Sequence, residues 1–150
     1  MSLGRNLKII IKREKCKIQW LTEESGVSQP TINSVIREDR SPRLDTVYYL
    51  FNAMGYDLYL VSPDGRKQKY ESVSGWIKFI MTVQHINIEE TPNVLGCCED
   101  SFRRYMLDEM CPLVCSIQTF LDTYGYSIKV AKGDIEYDLF EPIDIWKGKC

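Results

Sequence analysis

Long apolar runs are missing from this chain. Charges and prolines interrupt every apolar segment well before the roughly 18 to 20 residues that cross a bilayer, so no membrane partner is expected. The N-terminal "MSLGRNLKIIIKREK" sets three isoleucines between basic residues, without the longer apolar segment and small-residue cleavage site of an export signal. A cytoplasmic address follows, and with it reduced thiols. C-x-x-C pairs are absent, so Cys97, Cys98, Cys111 and Cys115 with His85 match no common zinc spacing. Small buried apolar thiols are the expectation for the cysteines. Histidine is nearly absent too, and His85 in "VQHINIEE" lies one helical turn before Glu89 with no glycine-rich phosphate loop or nucleophile elbow elsewhere. Neither catalysis, nor a metal, nor another cofactor is expected.

What is present suits a globular chain. At 150 residues, 44% hydrophobic and 27% charged, it has the apolar content for one ordinary domain or two small ones. The net charge of −2 hides a division, since residues 1–70 carry 12 Lys and Arg against 8 Asp and Glu, and the remainder 7 against 13. Different partners are expected for the two halves.

The chain also repeats itself. A shift of 70 positions, without a gap, pairs Ile10 with Ile80, Ile18 with Ile88, Gly26 with Gly96, Pro42 with Pro112 and Gly55-Tyr56 with Gly125-Tyr126. Apolar character persists where identity does not, as at Ile32 and Phe102 or Val47 and Ile117. Each unit reads as helices followed by a hairpin, which makes the expected class mostly α with small β-hairpins, α+β. Helices are expected over Leu3 to Glu14 and Ile18 to Ser25, the second ended by Gly26. Ser28 is placed to cap the next helix, with Pro30 in its first turn. A fourth helix follows Pro42 and stops at Gly55, then "YDLYLV" and "RKQKY" form a hairpin about "SPDG". In the second unit Pro92 shortens the second helix, with Thr91 expected as its cap. The boundary is placed near "YESVSG", giving domains 1–72 and 73–150.

The run "GVSQPTINSVIREDRSPRLDTV" resembles the Cro/C1-type, lambda-repressor-like helix-turn-helix DNA-binding family, over about residues 5–60. The resemblance implies a recognition helix over Ser28–Ile36 that contacts double-stranded DNA in the major groove. On that reading Ser28 caps the helix, and Gln29, Pro30, Thr31, Asn33 and Ser34 occupy base-reading positions. Their chemistry is suitable: carboxamides pair with adenine, and Pro30 or the Thr31 methyl can touch a thymine methyl. Arg37 lies one turn further on, while Arg40 and Arg43 are placed for phosphates. Departures are Ile18 for the usual glutamine, Thr22 for a small alanine, Ser25 for an apolar residue and Glu38 for a glycine.

The second unit keeps the frame and loses these groups. Cys98-Glu99-Asp100-Ser101 replaces Ser28-Gln29-Pro30-Thr31, and two carboxylates there repel phosphates. This half is expected to dimerise the chain, as two-fold operators require, or to pack on the first unit as an internal pseudo-dimer with paired hairpins, or to bind another protein. The leading expectation is a sequence-specific transcriptional regulator, a homodimeric repressor of phage or mobile-element type. The alternative is an anti-CRISPR or antitoxin-like protein whose acidic half inhibits a protein partner.

Overall fold

The computed structural model describes residues 3–143. It is an α+β structure of eight helices and one antiparallel four-stranded sheet among the described residues. The order is α1 (Leu3–Arg13), α2 (Ile18–Ser25), α3 (Gln29–Arg37), α4 (Leu44–Ala53), β1 (Asp57–Val61) and β2 (Lys67–Lys69). The same plan follows as α5 (Val73–Gln84), α6 (Thr91–Leu95), α7 (Glu99–Met106), α8 (Val114–Tyr124), β3 (Ser127–Lys132) and β4 (Ile135–Asp138). Cys150 lies outside the described residues.

Backbone chemistry repeats with the elements. Left-handed residues pair off 70 apart: Lys15 with His85, Gly26 with Gly96, Glu38 with Asp108, and Gly55 with Gly125. The first and third of these pairs contain no glycine, so L-residues adopt a costly conformation at the same place in both halves. Such positions mark helix ends, where a left-handed residue lets the last carbonyls find partners. The match breaks only after β1 and β3, because the second hairpin turns one residue sooner: Val61 pairs with Lys67, but Ala131 pairs with Glu136 and Lys132 with Ile135.

The two hairpins join edge to edge in the strand order β2-β1-β3-β4. Tyr59 of β1 stands opposite Lys129 of β3, its own counterpart 70 positions on, so the halves are related by a local two-fold axis at that pair. The axis passes through a second contact, a bridge between Arg43 and Leu113. There Leu44 N–H donates to Pro112 O at 3.0 Å and Val114 N–H to Pro42 O at 2.8 Å. Side chains obey the same relation: Asp45 N–H donates to Cys111 Sγ at 3.2 Å, and Cys115 N–H to Ser41 Oγ at 2.9 Å.

First helices cross over to the opposite half. Buried Asn6 donates its amide to Leu139 O at 3.0 Å and Glu141 O at 2.8 Å, and accepts from Ile143 N–H at 3.1 Å. Its counterpart Trp76 donates its indole N–H to Gln68 O at 3.0 Å. Both buried polar groups are therefore satisfied by strand ends of the other unit. Leu58, Leu60, Ile128 and Val130 alternate onto the covered face of the sheet, and one apolar core runs from α1 through both hairpins to α8.

Two expectations need correction. Thr91 is not the cap of α6 but its first residue, fully buried, with its hydroxyl donating back to Asn87 O at 2.7 Å. The thiols are not uniformly buried, because Cys98 and Cys115 are exposed and Cys16, Cys97 and Cys111 half-buried. Cys98 is drawn to the surface by its place at a helix start. Among the described residues no helix is long and apolar enough to cross a membrane.

Candidate nucleic-acid interface

Helix α3 begins at an extended Ser28, whose Oγ accepts the Thr31 N–H at 3.4 Å and shares a hydrogen bond with Thr31 Oγ1 at 2.8 Å. The cap satisfies an otherwise orphaned donor and fixes where the helix starts. Ile32 and Val35 then turn inward against α1, which leaves Ser28, Gln29, Pro30 and Thr31 fully at the surface. Asn33 and Ser34 are half-buried on the flank of the helix, and Arg37 is exposed.

The loop after α3 is held by Glu38, which takes the left-handed conformation at φ 58° where the family resemblance leads one to expect glycine. Its carboxylate accepts the Gly4 N–H at 3.2 Å, at the N-terminus of α1, where the helix dipole favours negative charge. That contact offsets the backbone cost, and it turns Arg40 and Arg43 back beside α3. Pro30, Thr31, Ser34, Arg40 and Arg43 thereby line one open concavity of about 580 Å³. Ser28, Gln29, Asn33 and Arg37 stand outside it. Arg37 Nε instead meets Asp39 Oδ2 at 2.9 Å, with both side chains at least half exposed. An ion pair that open contributes about 0 to 1 kcal/mol, so a phosphate can displace it.

Ser41, Thr46 and Leu113 of this surface escaped the sequence reading. Thr46 lies inside "LDTV", past the positions to which the resemblance gives a role, and Leu113 arrives across the two-fold axis, which no local pattern signals.

Other departures have local explanations. Ser25 donates to Leu21 O at 2.6 Å and accepts the Val27 N–H at 3.1 Å, replacing an apolar contact with a polar lock on the turn. Thr22 leaves its hydroxyl buried without a hydrogen-bond partner; nothing in the structure explains it.

The equivalent surface of the second half differs residue by residue. Cys98 caps α7, its sulfur accepting Ser101 N–H at 3.4 Å. Glu99 and Asp100 replace Gln29 and Pro30, and Leu107, Met110 and Leu113 replace Arg37, Arg40 and Arg43. The two cations of α7 itself, Arg103 and Arg104, are both engaged by Asp100, at 2.7 and 3.3 Å. Hydrogen bonds from the Ser101 hydroxyl and backbone hold the Cys98 thiol below its ordinary pKa, whereas burial raises Cys16 and Cys97 and pushes Cys111 up to about 11. Near neutral pH, iodoacetamide is therefore expected to alkylate Cys98 well before Cys16, Cys97 or Cys111. Peptide mass spectrometry over a time course checks this order.

Among the described residues no three His, Cys, Asp or Glu side chains converge as metal ligands would. His85 ends α5 in a left-handed conformation and is exposed. The chain matches no family model, no curated protein and no solved structure. Its function must be argued from its own surfaces.

Proposed function

We propose that the chain is a sequence-specific DNA-binding transcriptional regulator, a repressor built of two tandem helix-turn-helix units of which only the first reads DNA. The supporting observation is the contrast between equivalent surfaces: α3 exposes amides and hydroxyls beside Arg40 and Arg43, while the same positions around α7 carry Glu99, Asp100, Met110 and Leu113. In this reading the start of α3 enters the major groove. Gln29, Asn33 and Ser34 address base edges, Pro30 and the Thr31 methyl meet thymine methyls, and Ser28 borders the backbone. Arg40 and Arg43 neutralise phosphates, and Arg37 exchanges Asp39 for the DNA.

The internal two-fold changes the expected operator. A homodimer of active units would read two half-sites, but here the partner unit is supplied by the same chain and is acidic at the groove-facing helix. One chain therefore reads one asymmetric half-site, and a palindrome takes two chains.

The test is fluorescence anisotropy with the full chain and a duplex selected from a random pool. Gln29→Ala and Asn33→Ala are each expected to cost about 1 to 3 kcal/mol, concentrated at individual base pairs. Arg40→Ala and Arg43→Ala are expected to weaken all sequences alike and to reduce the salt slope by about 1 each. Binding that ignores salt, or that survives Gln29→Ala with Asn33→Ala unchanged, overturns the proposal.

The second reading, an anti-CRISPR or antitoxin-like inhibitor acting on a protein partner, draws support from the apolar Leu107 and Leu113, 58% and 42% exposed amid the carboxylates of the second half. An inhibitor of this kind would keep its activity in the Gln29→Ala, Asn33→Ala variant.

A further inference from the structure

The two-fold relation places a second cleft opposite the first, and the two are lined differently. It measures about 580 Å³ and lies between α4, the link into α5, and the loop after α7. Tyr48, Tyr49, Tyr70 and Tyr105 wall it, and Asp45, Glu71, Asp108 and Glu109 contribute carboxylates against the single guanidinium of Arg43. Three of the tyrosines form a connected set, with ring centroids 5.6 Å apart for Tyr48 and Tyr49 and 4.9 Å for Tyr48 and Tyr70. Tyr49 is nevertheless 48% exposed, an aromatic ring left to water.

The repeat says which of these residues the fold requires. Because the second hairpin is one residue shorter, Tyr70 corresponds to Leu139; both are buried and donate their N–H to the neighbouring strand, at Leu58 O and Ile128 O, so a large apolar residue there serves packing in both halves. Tyr48, Tyr49 and Tyr105 correspond to Gln118, Thr119 and Val35, and Asp45 to Cys115, so neither the aromatic wall nor that carboxylate is needed to build the element. Asp108 is committed to Ser74, accepting its N–H at 3.1 Å and its hydroxyl at 2.8 Å. Asp45, Glu71 and Glu109 form no ion pair among the described residues.

We propose that this cleft binds a basic segment of a partner protein, seating an arginine or lysine side chain against the faces of Tyr48, Tyr49 and Tyr105 with Asp45, Glu71 and Glu109 around it. Aromatic faces attract cations, and carboxylates without cationic partners add the charge complementarity that selects a basic occupant over an acidic or neutral one. The site is separate from the α3 surface except for Arg43 and Leu113, which border both clefts. DNA binding and partner binding therefore fail separately.

Isothermal titration of the full chain with a capped peptide of alternating arginine and leucine tests it. Saturable, salt-sensitive binding is expected, weakened about tenfold by Tyr49→Ala and at least as much by Glu71→Gln with Glu109→Gln. These three side chains are exposed, so their replacement leaves the core intact. Gln29→Ala is expected to change nothing. The proposal is overturned if the peptide does not bind at millimolar concentration, if its arginine-to-glutamate counterpart binds as well, or if the variants bind with the original affinity.

Discussion

Gly4→Ser is expected to destabilise the chain by about 2 to 3 kcal/mol, and adding Glu38→Asp to return part of that loss. A Cβ at Gly4 would stand 2.5 Å from both Val35 O and Ile36 O and 2.7 Å from Glu38 Cγ. Backbone oxygens cannot rotate aside, so α1 and α3 must separate, and separation uncovers Leu3, Leu7, Ile32 and Val35, each at most 4% exposed. The second half holds a different solution at the equivalent place. There the pair is Ser74 and Asp108: a larger residue on the helix faces a side chain one methylene shorter, and both atoms of the serine that can donate do so. The Ser and Asp combination is thus a natural compensation, absent from the first half. Urea denaturation of the two single variants and the double variant gives the coupling. A double variant no more stable than the sum of the single losses removes the argument, and Gly4→Ser costing under about 0.5 kcal/mol removes its premise.

The same pair shows what sequence reasoning could and could not reach. Local chemistry was legible: Ser28 as a cap, Gly26 as a stop, and the helix bounds of α2 follow from residues within one turn of each other. The class, α+β with small hairpins, followed from periodicity that changed from helical to alternating twice in the chain. Glu38 was visible only as an oddity, because the group it bonds lies 34 positions away. Thr91 was misplaced for a related reason: the Thr91 hydroxyl is buried and donates back to the Asn87 carbonyl rather than taking the capping role that its position before Pro92 favours. Of the candidate surface, the polar residues of α3 were legible from their order, but their grouping with Arg40 and Arg43 rests on the turn that Glu38 holds. The carboxylates and tyrosines of the second cleft were not legible at all. They come from three separated stretches, which the two contacts across the two-fold axis, the pairing of β1 with β3 and the bridge between Arg43 and Leu113, bring together.

Cutting the chain after residue 72 is expected to abolish the monomeric fold of both pieces. The cut leaves β1 without β3, exposing five residues of unpaired strand edge from Asp57 to Val61. It also parts Leu58 and Leu60 from Ile128 and Val130, all at most 1% exposed in the whole chain. Each fully buried side chain of this kind contributes about 1.5 to 3 kcal/mol. Losing even part of that from four such residues rivals the roughly 5 to 15 kcal/mol that holds an ordinary domain together. Asn6 loses its three acceptors between Asp138 and Glu141 as well, leaving a buried amide unsatisfied. The first piece has one escape, which the register dictates. Because Tyr59 faces its own counterpart across the axis, two copies of residues 1–72 can pair β1 with β1 in the same register, Tyr59 opposite Tyr59. Sedimentation of that fragment should accordingly show a dimer or an insoluble product. A stable, helical monomer would mean that the shared sheet is not what holds the halves. A dimer would carry two copies of α3, and it is then expected to prefer a palindrome where the whole chain prefers a single half-site.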